Sequence, residues 1–223
     1  MAFLRGRVQF VWRDYIEALE RFEEALEQGS PRVPRQDLLY EMALCHINIE
    51  EFDDARAYLL RHEEAESSTV IRFYRGVCDH GAGSFEAALA HFEAALELGP
   101  AAEDLGRVLF YVGACLKERE RFEEAIDVLE RAVDVDPDDI VNHNLLGFCY
   151  YKVGRHAEAV DCFRRCLQID PRSGIDWANL GSNLRDLGRV DEAIEMYEKA
   201  VALDRSLGFA RDNLEKLRKQ VRG

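Results

Sequence analysis

Apolar residues return every three or four positions through almost the whole chain, as in Ala159, Val160, Phe163, Cys166 and Leu167, and that spacing predicts helices. No stretch alternates apolar and polar residues, so no strand is predicted. Pro31, Pro34, Pro100, Pro137 and Pro171 fall between the periodic stretches, where a missing backbone donor does no harm. Gly83, Gly154 and Gly188 predict left-handed turns at which one helix stops and the next begins. The pattern also recurs on a longer scale. Ala125, Ala159 and Ala193 lie 34 residues apart, as do Gly113, Gly147 and Gly181, which is the mark of a stacked repeat. Helix axes approach to the short end of about 8–10 Å only where small residues face each other, so these positions predict close helix contacts with large residues filling the holes between.

Trp177, Leu180 and Gly181, followed by Ala193, Tyr197 and Ala200, resemble the tetratricopeptide repeat pattern. The unit before it agrees through Leu146, Gly147, Tyr150, Gly154, Ala159, Phe163 and Pro171, and the one before that through Gly113, Leu116, Ala125, Leu129, Ala132 and Pro137. Toward the N-terminus the match thins to Gly76, Gly83, Ala88, Phe92, Ala95 and Pro100, then to Ala43, Ala55 and Leu59. Gly6, Ala18, Phe22, Ala25 and Pro31 fit a sixth, truncated unit. The resemblance implies an all-α fold, a right-handed superhelical α-solenoid of antiparallel helix pairs. Its array is expected over residues 1–205, with a partial unit at 1–31 and units starting at 36, 69, 106, 140 and 174. Residues 206–223 are expected to form a C-terminal capping helix, with Leu207, Ala210, Leu214, Leu217 and Val221 as its apolar stripe. Lys216, Arg218, Lys219 and Arg222 complement the negative end of its dipole.

The N-terminal end reads as unfinished, with Phe3, Leu4, Val8, Phe10, Val11 and Trp12 clustered near the start. Either the chain is a piece of a longer protein or this end packs on a partner or a second copy. No apolar run is long enough to span a bilayer, and Arg5, Arg7 and Arg13 interrupt any secretory core, so a cytoplasmic protein without membrane insertion is expected. The formal charge of −14 argues against nucleic acid, whose phosphates require clustered Lys and Arg. Acidic runs such as Glu50-Glu51 and Glu63-Glu64 read as a solvated face, with a basic partner as the sharper alternative.

The six cysteines resolve once placed in register: Cys45, Cys78, Cys115 and Cys149 share the tenth position of their units, where small buried residues belong. Cys162 and Cys166 lie one helical turn apart but lack a second ligand pair, so no metal is expected. Such usage suits a reducing compartment. His46 and Asp79 share the eleventh position and Arg75 takes the seventh. They predict either an Arg75–Asp79 pair at i, i+4 or a pH-sensitive pocket of His46 with Asp79.

No nucleophile and base fall at a recognised spacing and no Gly-rich phosphate loop precedes a helix, so neither catalysis nor a cofactor is expected. The resemblance places function on a concave surface lined by the first helix of each unit. Those positions hold Phe3 and Phe10, Tyr40 and Ile47, Phe73 and Tyr74, Phe110 and Tyr111, then Val141, Phe148 and Tyr151. The last unit presents Ala178, Asn179, Ser182, Arg185 and Asp186. The Lys and Asn set by which co-chaperones clamp a C-terminal carboxylate is not matched, since the fifth and ninth positions read Tyr40 and Leu44, Phe73 and Val77, Phe110 and Ala114, Asn144 and Phe148. The expectation is therefore a scaffold that holds an apolar peptide or helix of a partner protein. Phe110, Tyr111, Phe148 and Tyr151 are its expected anchors, and Lys117, Lys152 and Arg185 would orient acidic groups on the ligand. The alternatives are a chaperone resembling the acidic tetratricopeptide secretion chaperones, or a self-associating assembly scaffold.

Overall fold

The computed structural model describes residues 14–29, 33–62 and 66–222. The apolar N-terminal cluster with Phe3 and Phe10, Pro31, and the self-association expected of that end lie outside them. Among the described residues the chain forms twelve helices and no strand. Two compact units meet within one helix, Met1–Tyr111 and Val112–Gly223.

The N-terminal unit holds α1 (Tyr15–Gln28), α2 (Arg35–Asn48), α3 (Phe52–Leu60), α4 (Thr69–Gly81) and α5 (Phe85–Leu98), and ends in the first part of α6 (Ala102–Glu118). The C-terminal unit begins with the rest of α6 and holds α7 (Phe122–Val135), α8 (Ile140–Lys152), α9 (His156–Ile169), α10 (Gly174–Asp186), α11 (Val190–Leu203) and α12 (Gly208–Arg222). Successive helices pack as pairs, α2 with α3 and α4 with α5 in the first unit, α8 with α9 and α10 with α11 in the second. Within the units α3 packs on α4 and α9 on α10, and α12 packs on α11.

The small residues meet large ones within each pair. A side chain added at Gly113 would run into Leu129, at Gly147 into Cys162 and Phe163, and at Gly181 into Tyr197. Leu129, Phe163 and Tyr197 are themselves sealed from solvent. Each such residue contributes about 1.5–3 kcal/mol of burial, so the repeat register and the core are the same set of contacts.

The helix ends follow from local chemistry. Several first helices are capped by a side chain: Ser68 accepts from the Ile71 amide, Asp139 from Val141 and Asn142, and Ser173 from Asp176. The second helices instead start after a left-handed residue, Gly83 at φ 75°, Gly154 at 78° and Gly188 at 75°. At the equivalent turns Glu50 and Glu120 adopt φ 63° and 56°, a conformation that normally favours glycine. Pro34 precedes α2, and Pro100, Pro137 and Pro171 stand outside every helix.

Candidate functional site

In the N-terminal unit the aromatic residues pack largely on one another. Phe73, expected in the groove, is only 4% exposed and is corrected to a packing residue. The ring of Phe92 on α5 lies 5.7 Å from it, Tyr111 on α6 lies 5.4 Å away edge-on, and the Arg107 guanidinium covers it at 4.7 Å. Tyr111 in turn stacks on Phe92 at 5.1 Å and meets His80 and Phe110 edge-on. Tyr40 and Tyr74 form an edge-on pair at 5.6 Å, and burial with the Tyr74 contact pushes the Tyr40 hydroxyl well above its ordinary range. Tyr40, Tyr74, Phe110 and Tyr111 keep partial exposure while packing on neighbouring rings.

The polar positions of this unit find partners that sequence spacing did not offer. Asp79 is buried and accepts a hydrogen bond of 2.8 Å from Arg56 on α3, with His91 of α5 at 3.5 Å. Arg75 donates to Glu66 at 2.7 Å. His46 contacts the Glu51 carboxylate through Nδ1 at 2.8 Å and stacks on Tyr58. Burial, reinforced by Arg75, depresses the His91 pKa although Asp79 opposes the shift. His46, Glu51 and Asp54 bring ligand-type atoms within 4.8 Å of one another, but the two carboxylates are exposed and one already holds the imidazole.

The C-terminal unit has a different surface. Phe148 and Tyr151, both on α8, are 39% and 37% exposed, more than the aromatic residues of the N-terminal unit named above. With Asn179, Ser182 and Arg185 of α10 and Phe209 and Asn213 of α12 they enclose a pocket of about 230 Å³. Phe163 of α9 and Asn183 complete its floor. That volume falls below the ~300–1,000 Å³ of small-molecule sites and suits one or two side chains of a peptide. The register pointed to Asn179, Ser182 and Arg185. It missed Phe209 and Asn213, and it placed Ala178 on the surface, where the residue is in fact fully buried.

The polar groups around the pocket are held in place. Tyr197 donates to the Ser182 hydroxyl at 3.0 Å, Asn183 donates to the Asn179 carbonyl, and His156 contacts Asn183 at 3.0 Å. Arg185 makes a two-pronged pair with Asp186, which raises its pKa. Lys152 lies over Phe122 at 5.4 Å and over Phe148 at 5.8 Å, and Lys117 lies over Phe148 at 5.9 Å. Behind them, Asp176 at the start of α10 is buried and accepts from Asn144 of α8.

Burial raises the Asp176 carboxyl pKa against the pull of its Ser173 and Asn144 hydrogen bonds. A folded pKa above the unfolded one means folding favours the protonated form, so this contribution is fully present below about pH 4 and is lost as pH rises through the folded value. Asp176→Asn keeps an acceptor for Asn144 and removes the charge. The variant should therefore gain stability relative to the native chain between pH 4 and pH 7 in urea titrations; a difference that does not change with pH would show that Asp176 is not strained by its burial.

The six thiols are all free and buried, and burial pushes them far above their ordinary range, to about 11 at Cys149 and about 12 at the other five. Cys162 packs at Gly147, and Cys166 donates weakly to the Ile140 carbonyl at 3.6 Å. No helix among the described residues is long and apolar enough to cross a membrane.

Tetratricopeptide repeat models match residues 3–69, 66–138 and 138–206. The chain is a tetratricopeptide repeat protein. Its fold is similar to that of YrrB, described as a tetratricopeptide protein with an unusual peptide-binding site, at 22% identity and a TM-score of 0.73 over 87% of this chain and 97% of that one. It is also similar to the C-terminal part of a tetratricopeptide repeat-containing protein of Cytophaga hutchinsonii, 18% identical with a TM-score of 0.75 over 96% and 84% of the two chains. MamA of Desulfovibrio magneticus RS-1 gives 22% identity and a TM-score of 0.69 over 78% and 97%. Comparison with the curated proteins gives no match. As a tetratricopeptide repeat protein the chain is an α-solenoid of helix pairs and a non-catalytic protein-interaction scaffold.

Proposed function

We propose that this tetratricopeptide repeat protein holds an apolar segment of a partner protein against the pocket of its C-terminal unit, with Phe148, Tyr151 and Phe209 as the anchoring walls. The observation that carries the reading is the pocket itself. Its size suits side chains, two of its rings are partly exposed to solvent, and the Asn179 amide in its wall is a polar group for a peptide backbone. Open aromatic surface of this kind is where interface energy concentrates. In the N-terminal unit Tyr40, Tyr74, Phe110 and Tyr111 are less exposed, so they extend the surface rather than anchor it. Free thiols throughout the core support a reducing, cytoplasmic setting.

The test is capture of partners from a native lysate by the natural chain and by Phe148→Glu/Tyr151→Glu, after circular dichroism shows equal helicity. Loss of at least one partner with the double variant is expected. Partners that all persist would move the function away from this pocket.

A further inference from the structure

In a chain with 43 Asp and Glu residues and a net charge of −14, the pocket walled by Phe148, Tyr151 and Phe209 has no carboxylate in its lining, and its one charged side chain is Arg185. Cations also gather at its Phe148 edge. Lys117 and Lys152 hold their ammonium groups over that ring, and Lys152 covers Phe122 as well. Several other cations of this unit sit beside carboxylates, as Arg121 with Glu124, Arg155 with Glu158 and Arg189 with Glu192. Lys152 has no carboxylate partner among the described residues; its contacts are the two rings. The partners of Lys117 and Arg185 are their own chain neighbours, Glu118 and Asp186.

Resting on the proposed pocket reading, we infer that the bound segment is acidic: a bulky apolar anchor residue flanked by Asp or Glu. A lysine in the last turn of a helix complements the helix dipole, and Lys117, Lys152 and Arg185 all hold that place. Dipole complementarity does not account for the place of Lys152 over two rings. A ring beneath an ammonium strips part of its water and limits its rotamers, so a ligand carboxylate meets a cation already ordered. The Lys117 and Arg185 pairs are partly exposed contacts of the kind that contribute little, so exchange of Glu118 or Asp186 for a ligand carboxylate is inexpensive. An anchor between Phe148, Tyr151 and Phe209 would bring its flanking residues near Arg185 in the pocket wall and the ammonium groups over the Phe148 ring. A basic segment would meet three cations there with no acid in the pocket wall to receive it.

Three pools of short fluorescein-labelled peptides test this. Each carries a central Leu, Phe or Trp, flanked by Asp and Glu, by Asn and Gln, or by Lys and Arg, and binding is read by anisotropy. The acidic pool should bind about tenfold more tightly than the amide pool, with the advantage falling to about threefold or less in Lys117→Gln/Lys152→Gln and shrinking as salt is raised. Equal binding of the acidic and amide pools, lost in Phe148→Glu/Tyr151→Glu, would overturn the acidic preference and leave the pocket reading standing. Preference for the basic pool would also overturn it. Absence of binding by all three pools, or binding unchanged in the pocket variant, would overturn both.

Discussion

Phe92→Ala is expected to cost about 3–5 kcal/mol, the range for deleting a sealed phenylalanine from a core that cannot collapse around the void. Collapse is blocked here because the ring fills the space left by Gly76, lies beneath Phe73 and stacks on Tyr111 at 5.1 Å. In a repeat array the loss need not appear as one global transition, since each unit is stabilised chiefly by its neighbours. The decisive readout is native-state hydrogen exchange. Amides of α4 and α5 should lose roughly two to three and a half orders of magnitude of protection, at about 1.4 kcal/mol per tenfold. Unchanged protection in those helices would show that the aromatic group does not hold the unit together.

The second large effect is expected in the other unit. In Gly147→Leu the new Cβ would stand 3.0 Å from Cys162 Cβ and from the Phe163 ring, both belonging to α9, and the rest of the side chain has to displace one of them. Overpacking of this kind costs about 1–3 kcal/mol. Gly208→Ala provides the contrast, because the nearest atom to its added Cβ is a guanidinium nitrogen of Arg211 at 3.8 Å. A chemical-denaturation midpoint that falls for Gly147→Leu and stays in place for Gly208→Ala would establish that close approach of α8 and α9, rather than helix propensity, is what the glycine provides. Equal shifts would refute it.

Those two contacts also show what was legible in the sequence. Gly113, Gly147 and Gly181 at a fixed period, each answered by a large residue on the next helix, are visible as a pattern because the same packing problem is solved three times. The turns were legible where glycine marks them. At Glu50 and Glu120 they were not, because the left-handed conformation there is imposed by the helices on either side against the residue's own preference. Phe73 illustrates a different limit. A ring on the first helix of a repeat reads as groove surface until its neighbours are known, and Phe92 and Tyr111 approach it from other helices. The same holds for Asp79, whose partners Arg56 and His91 lie on α3 and α5. In the pocket, Phe148, Tyr151 and Arg185 were recoverable from register, whereas Phe209 and Asn213 were not. They belong to a terminal helix outside the period, and nothing in their spacing separates a helix that only covers a core from one that also walls a pocket.

The chemistry of the thiols has a practical side. With pKa values near 11 to 12 and burial at every position, only about one thiol in ten thousand or fewer is a thiolate at neutral pH, and the thiolate is the form that reacts. A single cysteine introduced on an exposed helix face would therefore accept a maleimide dye or spin label with all six native cysteines left in place. Distances across the pocket could then be followed, with and without a peptide, in a protein whose core has not been altered to make the measurement.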